Sequence, residues 1–249
     1  MYLWELKAKI RYSLMSKEEK LLYKFLDDHT LIQKYPKLCN DLDFMKKALA
    51  ESSPSVFEYA ADYMKTDKAL VMELANISGR IYQWLSDELK QDHEVIMACI
   101  ENDGACLQHV PEQYRNDRDI VLKACKTFGL AFFRTPFDND REVILAGIAN
   151  VPMAYLYAKG DLATDRDFAI EAVKAHHLAY IFMEDFHDDR EIAILAISQY
   201  PRVYKYASER LRDDDELFLM AAKKVPAMAE YASERLRKKY IKPKTHFLW

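Results

Sequence analysis

DREVILAGI at residues 140–148 and DREIAILAI at residues 189–197 are one pattern written twice. The pattern opens at Asp41, Asp67, Asp92, Asp117, Asp140, Asp165, Asp189 and Asp214, at intervals of 26, 25, 25, 23, 25, 24 and 25 residues. A fixed period of this length marks a solenoid or array. Three residues after each Asp the side chain is apolar: Phe44, Leu70, Val95, Ile120, Val143, Phe168, Ile192 and Leu217. Seven residues after it the side chain is small, as in Ala48, Cys99, Ala124, Gly147, Ala172, Ala196 and Ala221, with Leu74 the exception. The eighth position is apolar again, so the stripe follows one face of a short helix rather than a strand. The opening Asp is then an N-cap, its carboxylate accepting free amides of the first turn. A second acid two residues on, as in Asp43, Glu94, Asp119, Glu142, Asp167, Glu191 and Glu216, sits against the positive end of the helix dipole.

Twelve residues into most units comes a turn or helix stop: Ser53, Gly79, Gly104, Gly129, Pro152, His177, Pro201 and Pro226. A second helix follows. Its aromatic column holds Tyr59, Trp84, Tyr157, Phe182, Tyr206 and Tyr231, and its inner column runs Val56, Ile81, Cys106, Ala131, Ala154, Ala179, Val203 and Met228. Helices this short are marginal alone, so each hairpin must bury its face against the next. The expected fold is all-α: an α-solenoid of about eight stacked two-helix repeats of about 25 residues, the second helix tightening toward 3₁₀.

The repeats occupy residues 41–237 in this reading. Residues 1–40 form an N-terminal helical cap, a degenerate repeat in which Ser16 and Glu19 begin a capping box and Leu21, Leu22, Phe25 and Leu26 follow at helical spacing. The amphipathic start MYLWELKAKI is expected to pack on the same end. Residues 238–249 are a basic and aromatic tail or cap, with Lys238, Lys239, Lys242 and Lys244 ahead of Phe247, Leu248 and Trp249.

With 249 residues, 50% hydrophobic and 31% charged, the composition is that of a soluble protein with an extended core. Only five glycines and an almost unbroken repeat argue for one continuous helical domain. The net charge of −4 argues against a general nucleic-acid binder, leaving a local basic surface as the way such binding would arise. Cys39, Cys99, Cys106 and Cys125 have no CxxC pairing and read as free thiols in a reducing compartment. No signal-peptide pattern or membrane span is apparent, which places the protein in the cytoplasm or makes it exported without a cleavable signal.

Asp140–Ile148, Asp189–Ile197 and the segment YASERLR, found at Tyr206–Arg212 and again at Tyr231–Arg237, resemble a bacterial helical repeat family, the domain of unknown function 4116. The resemblance spans about residues 41–237 and is weakest over 41–91, where Lys68-Ala69 departs from the acidic opening. It implies a helical repeat of undefined biochemical role, found in bacteria and sometimes inside larger secreted effectors, and it transfers no catalytic residues. The period is also similar to that of leucine-rich-variant repeats, which alternate an α-helix with a 3₁₀ helix.

The acids are accounted for as caps, and the run Asp213-Asp214-Asp215-Glu216 as one cap with a solvated first turn. His176, His177, Glu184, Asp185, His187, Asp188 and Asp189 are the densest set of metal-ligand types, yet their spacing lacks the convergence of an HExxH motif. No nucleophile elbow, phosphate loop or Cys/His signature is present, so no catalytic residue, metal or cofactor is assigned.

The informative feature is where the repeat departs from its own rule. In the column before the aromatic one, flanking units carry Glu58, Gln83, Gln108, Lys205 and Glu230, whereas three consecutive units carry Phe133, Leu156 and Ile181. Beside them the aromatic column is broken by His109 and Arg134, and Thr135-Pro136 shortens the helix in the unit with the 23-residue spacing. The expected function is a non-enzymatic scaffold that docks a peptide or helix of another protein on Phe133, Leu156 and Ile181, with Arg134 and His109 as polar guides. Alternatively, the shortened unit rotates the following helices and buries these side chains locally. Two rival classes stand beside it: a catalytic or metal-dependent protein built on irregular positions such as His176, His177 and His187, and a nucleic-acid binder with a local basic surface. Oligomeric state and partner identity are left open by these residues.

Overall fold

The opening aspartates do what their position predicts. In the structure, a computed structural model describing residues 15–241, each accepts a hydrogen bond from an amide of the first turn of the ten-residue helix it precedes. The chain divides into two units, Met1–Arg115 and Asn116–Trp249.

The first unit begins with α1 (Lys17–Asp27), whose capping box is complete: Glu19 N donates to Ser16 Oγ at 3.1 Å and Ser16 N to Glu19 Oε2 at 2.6 Å. Leu22 and Phe25 are buried, and the Phe25 ring meets Phe44 of the first repeat edge-on at 6.1 Å. Three repeat helices follow, α2 (Leu42–Glu51), α3 (Lys68–Ile77) and α4 (His93–Asn102). The second unit stacks α5 (Arg118–Thr127), α6 (Arg141–Asn150), α7 (Arg166–Ala175), α8 (Arg190–Gln199) and α9 (Asp215–Lys224), and ends on α10 (Glu234–Tyr240). Among the described residues there is no strand. The fold is an all-α repeat solenoid.

The second element of the repeat is more than tightened toward 3₁₀. It is a 3₁₀ helix at Pro54–Tyr59, Gly79–Trp84, Gly104–Gln108, Pro152–Tyr157, His177–Phe182, Pro201–Tyr206 and Pro226–Tyr231. With three residues per turn, positions i and i+3 lie directly above one another. The deepest column is therefore the residue two before the expected aromatic one: Phe57, Tyr82, Leu107, Phe132, Tyr180 and Tyr204 are buried, while Tyr59, Trp84, Tyr157, Phe182, Tyr206 and Tyr231 are half-buried. The buried tyrosines also hold the connectors: Tyr82 Oη donates to the Lys90 carbonyl at 2.8 Å and Tyr204 Oη to that of Arg212 at 2.7 Å.

The repeat opening at Asp117 is the exception. Residues 129–135 form successive turns, with Phe133 N donating to the Leu130 carbonyl at 3.1 Å and Thr135 N to that of Phe132 at 3.0 Å. Thr135 precedes Pro136, which disfavours helical backbone at Thr135. Arg134 takes a left-handed φ of 64°, which turns the chain away early. The shorter spacing thus has a local cause.

Helices of neighbouring repeats are tied by ions as well as by apolar burial. In five repeats the residue after the cap Asp reaches the cap of the next repeat: Lys68 to Asp92 at 2.8 Å, Arg118 to Asp140 at 2.9 Å, Arg141 to Asp165 at 2.6 Å, Arg166 to Asp189 at 2.6 Å and Arg190 to Asp214 at 2.9 Å. Lys68, a departure from the acidic opening in sequence, is one rung of this ladder. The hydrogen bonds from Arg118 and Arg166, ahead of all other influences, hold Asp140 and Asp189 below the ordinary carboxylate range. A carboxylate with a depressed folded value contributes stability that is fully present above its unfolded value, near 3.9, and lost as pH falls through the folded one. Arg166→Gln returns Asp189 toward its unfolded value, so acid unfolding followed by far-UV circular dichroism is expected to shift to higher pH. Because the Arg166 side chain is exposed to solvent, the shift is about a few tenths of a pH unit. An unchanged midpoint would mean the rung contributes nothing.

The acidic run before α9 is not a solvated turn. Asp213 accepts from Arg235 at 2.9 Å, and Asp215 accepts from Arg235 at 2.8 Å, Lys239 at 2.5 Å and Tyr240 at 2.7 Å. These contacts seat α10 on the last repeat, with Leu236 buried and the Tyr240 ring 5.4 Å from that of Phe218. The expected packing of MYLWELKAKI, and the tail from Lys242 through Phe247, Leu248 and Trp249, lie outside the described residues.

Candidate docking surface

Three residues per turn also decide what a 3₁₀ helix leaves outside. Leu156 is 58% exposed and Phe133 40%, while Ile181 is half-buried. The residue three before each lies above it: Leu130, Met153 and Leu178. Met153 is 42% exposed and the other two are half-buried. In the flanking repeats this earlier column holds Arg80, Ala105, Arg202 and Ala227. The apolar strip is therefore two columns wide through three successive repeats. In sequence the second column does not stand out, because its flanking copies mix Ser55, Ala105 and Ala227 with Arg80 and Arg202.

All three repeats belong to the second unit. The Phe133 ring meets Tyr157 edge-on at 5.5 Å, and the Arg134 guanidinium lies over the Phe133 ring, 5.4 Å from its centre. Beside it, between the 3₁₀ helices Pro152–Tyr157 and His177–Phe182, is an open groove of about 510 Å³. Leu156, Ile181, Phe182 and Met183 give it an apolar wall, and Glu184 and Asp185, on the turn Glu184–Phe186, line its rim. His109 lies in the first unit, exposed at the end of Gly104–Gln108, and is not part of this lining.

The histidine set does not converge. His176 Nδ1 accepts from the Leu178 amide at 3.2 Å, and its ring packs on His177, whose own ring packs on Tyr200. His187 Nε2 donates to the Tyr180 carbonyl at 2.9 Å. Asp188 and Asp189 are engaged by Arg210 and Arg166. Among the described residues no group of three or more His, Cys, Asp or Glu could hold a metal ion. Burial pushes the Cys99 thiol up to about 12 and that of Cys125 to about 11, far from the thiolate a nucleophile needs. Arg118, Arg141, Arg166 and Arg190 are committed to carboxylates, so this basic column does not present a phosphate-binding face. No helix among the described residues is long and apolar enough to cross a membrane.

Residues 41–90, 92–138, 140–185 and 189–237 each match the family described as Domain of unknown function (DUF4116). Every matched segment holds two hairpins, and the structure shows why two make a period. The first hairpin of each pair leads into a single helical turn, at Asp62–Thr66, Glu112–Arg115, Asp161–Thr164 and Glu209–Arg212. The second leads into the 3₁₀ turns Leu89–Gln91 and Glu184–Phe186 in two of the pairs. No curated protein and no solved structure matches the chain.

Proposed function

The chain belongs to the domain of unknown function 4116 family, and from that premise we propose that it is a non-enzymatic repeat scaffold that binds another protein through the 3₁₀ face of its second unit. One observation carries the reading: three successive repeats place Leu130 and Phe133, Met153 and Leu156, Leu178 and Ile181 in columns where the adjoining repeats hold Ala105 and Gln108 on one side and Arg202 and Lys205 on the other. Solvated apolar side chains in register across repeats are unfavourable unless something covers them. Arg134 adds to this. A non-glycine residue held at positive φ stores roughly 1–3 kcal/mol, and such strain gathers at binding sites.

The test is selection of displayed random peptides on the intact chain, followed by binding to Phe133→Asp and Leu156→Asp variants. Each substitution is expected to weaken the selected peptides about 30-fold, as loss of a roughly 2 kcal/mol hot spot does. Circular dichroism and melting temperature should hardly move, because both side chains are exposed. Peptides that bind wild type and variants alike would place docking elsewhere.

A further inference from the structure

We propose that the occupant of the groove is a segment whose apolar side chains lie on Leu156 and Ile181 and whose next residues are arginine or lysine, held by Glu184 and Asp185. The inference rests on the docking reading above and adds the chemistry of the partner.

Most cap acids of this unit are matched by a cation. Asp140, Asp165, Asp189 and Asp214 each receive a cation from the preceding repeat. Three acids in the connectors are matched in the same way: Asp138 with Lys159 at 2.8 Å, Asp188 with Arg210 at 3.0 Å and Asp213 with Arg235 at 2.9 Å. Glu184 and Asp185, like Asp161 and Glu209, are not matched, and they differ from those two in lying at the groove. They are adjacent and exposed, they line the groove beside Leu156 and Ile181, and among the described residues neither has an ion-pair partner. The equivalent connector of the first unit also carries two exposed acids, Asp87 and Glu88, but in a repeat whose exposed column holds Gln83 rather than an apolar side chain.

Two neighbouring carboxylates repel each other and attract a cation, most effectively beside a surface that excludes water when occupied. A guanidinium can bind one or both through paired hydrogen bonds. The far end of the strip has the opposite sign, because Arg134 lies over Phe133 and makes no ion pair among the described residues. The surface thus carries a polarity, positive at Phe133 and negative beyond Ile181. A segment that is apolar and then basic fits it in one direction. A polyanion would meet the acidic rim and is disfavoured.

The experiment uses the full chain and the displayed decapeptide library. Selected sequences should combine two or more large apolar residues with Arg or Lys on one side of them. Their binding should fall about 30-fold with Leu156→Asp and about tenfold with the Glu184→Lys, Asp185→Lys pair. A new selection on that pair should enrich acidic residues where the first enriched basic ones. Glu184→Gln with Asp185→Asn serves as a milder second variant and should give an intermediate loss. Peptides that need Leu156 yet lack basic residues, or that ignore the changes at Glu184 and Asp185, would overturn this inference and leave the docking surface standing. If no selected peptide depends on Leu156, the docking reading falls and this inference with it.

Discussion

Phe168→Ala is expected to lower the melting temperature by roughly 10 °C, since emptying a buried Phe site costs about 3–5 kcal/mol in a unit of this size. Phe168 sits three residues after Asp165, which accepts its amide hydrogen at 3.0 Å, and its ring is fully buried. The ring stacks on Tyr155 at 5.7 Å, and the Arg141 guanidinium lies 5.5 Å from its centre. Losing it would loosen the Tyr155 side chain, whose hydroxyl donates to the Ala163 carbonyl at 3.3 Å, as well as the rung from Arg141 to Asp165. Because repeats depend on their nearest neighbours, scanning calorimetry should also show a broader transition as the array weakens at one point. A loss under about 1 kcal/mol would mean that this column is not the core it is taken to be.

Gly147→Ala is expected to be destabilising by about 1–2 kcal/mol, although alanine is the better helix former. Helix propensity alone favours the change by about 1 kcal/mol. Against it stands a close approach: a Cβ on Gly147 would strike the Gly129 carbonyl, and would lie 2.8 Å from the Phe132 ring. Gly129 is equally confined, since its own Cβ would lie 2.5 Å from the Gly147 carbonyl and 2.9 Å from Val151. Overpacking of this kind costs about 1–3 kcal/mol, and the Gly129 carbonyl is backbone that cannot rotate away. The same column holds Ala172 in the next repeat, where Ala172→Gly should instead lose roughly 1 kcal/mol. Chemical denaturation of the two variants checks the contrast. If Gly147→Ala proved stabilising, the contact between these two repeats would be looser than drawn.

Most of the repeat was legible because its signals are local. An N-cap and its amide are two or three residues apart, and an apolar stripe repeats within two turns, so Asp189 through Ile197 announces its helix without reference to the rest of the chain. The apolar departure at Phe133, Leu156 and Ile181 was legible for a related reason: repeats can be compared with one another, and these three stand out against five polar copies of the same position. The second column was missed because its flanking copies, Ser55, Arg80, Ala105, Arg202 and Ala227, follow no uniform polar rule that Leu130, Met153 and Leu178 would break.

Other features join residues that no local pattern connects. Arg166 and Asp189 are 23 positions apart, and nothing near either one indicates that a cation after one cap will bind the next cap. The acids at 213 and 215 look like a solvated turn until α10 brings Arg235, Lys239 and Tyr240 to them. Glu184 and Asp185 look no different in sequence from Asp188, which Arg210 neutralises.

By itself the sequence determined the helices, where they start and stop, and that they stack, because capping and amphipathic burial act over four residues or fewer. Only the tertiary structure decided which charges are matched, which apolar side chains stay in water and where the groove opens. Those outcomes depend on distances between repeats, and such distances arise only once the stack has formed.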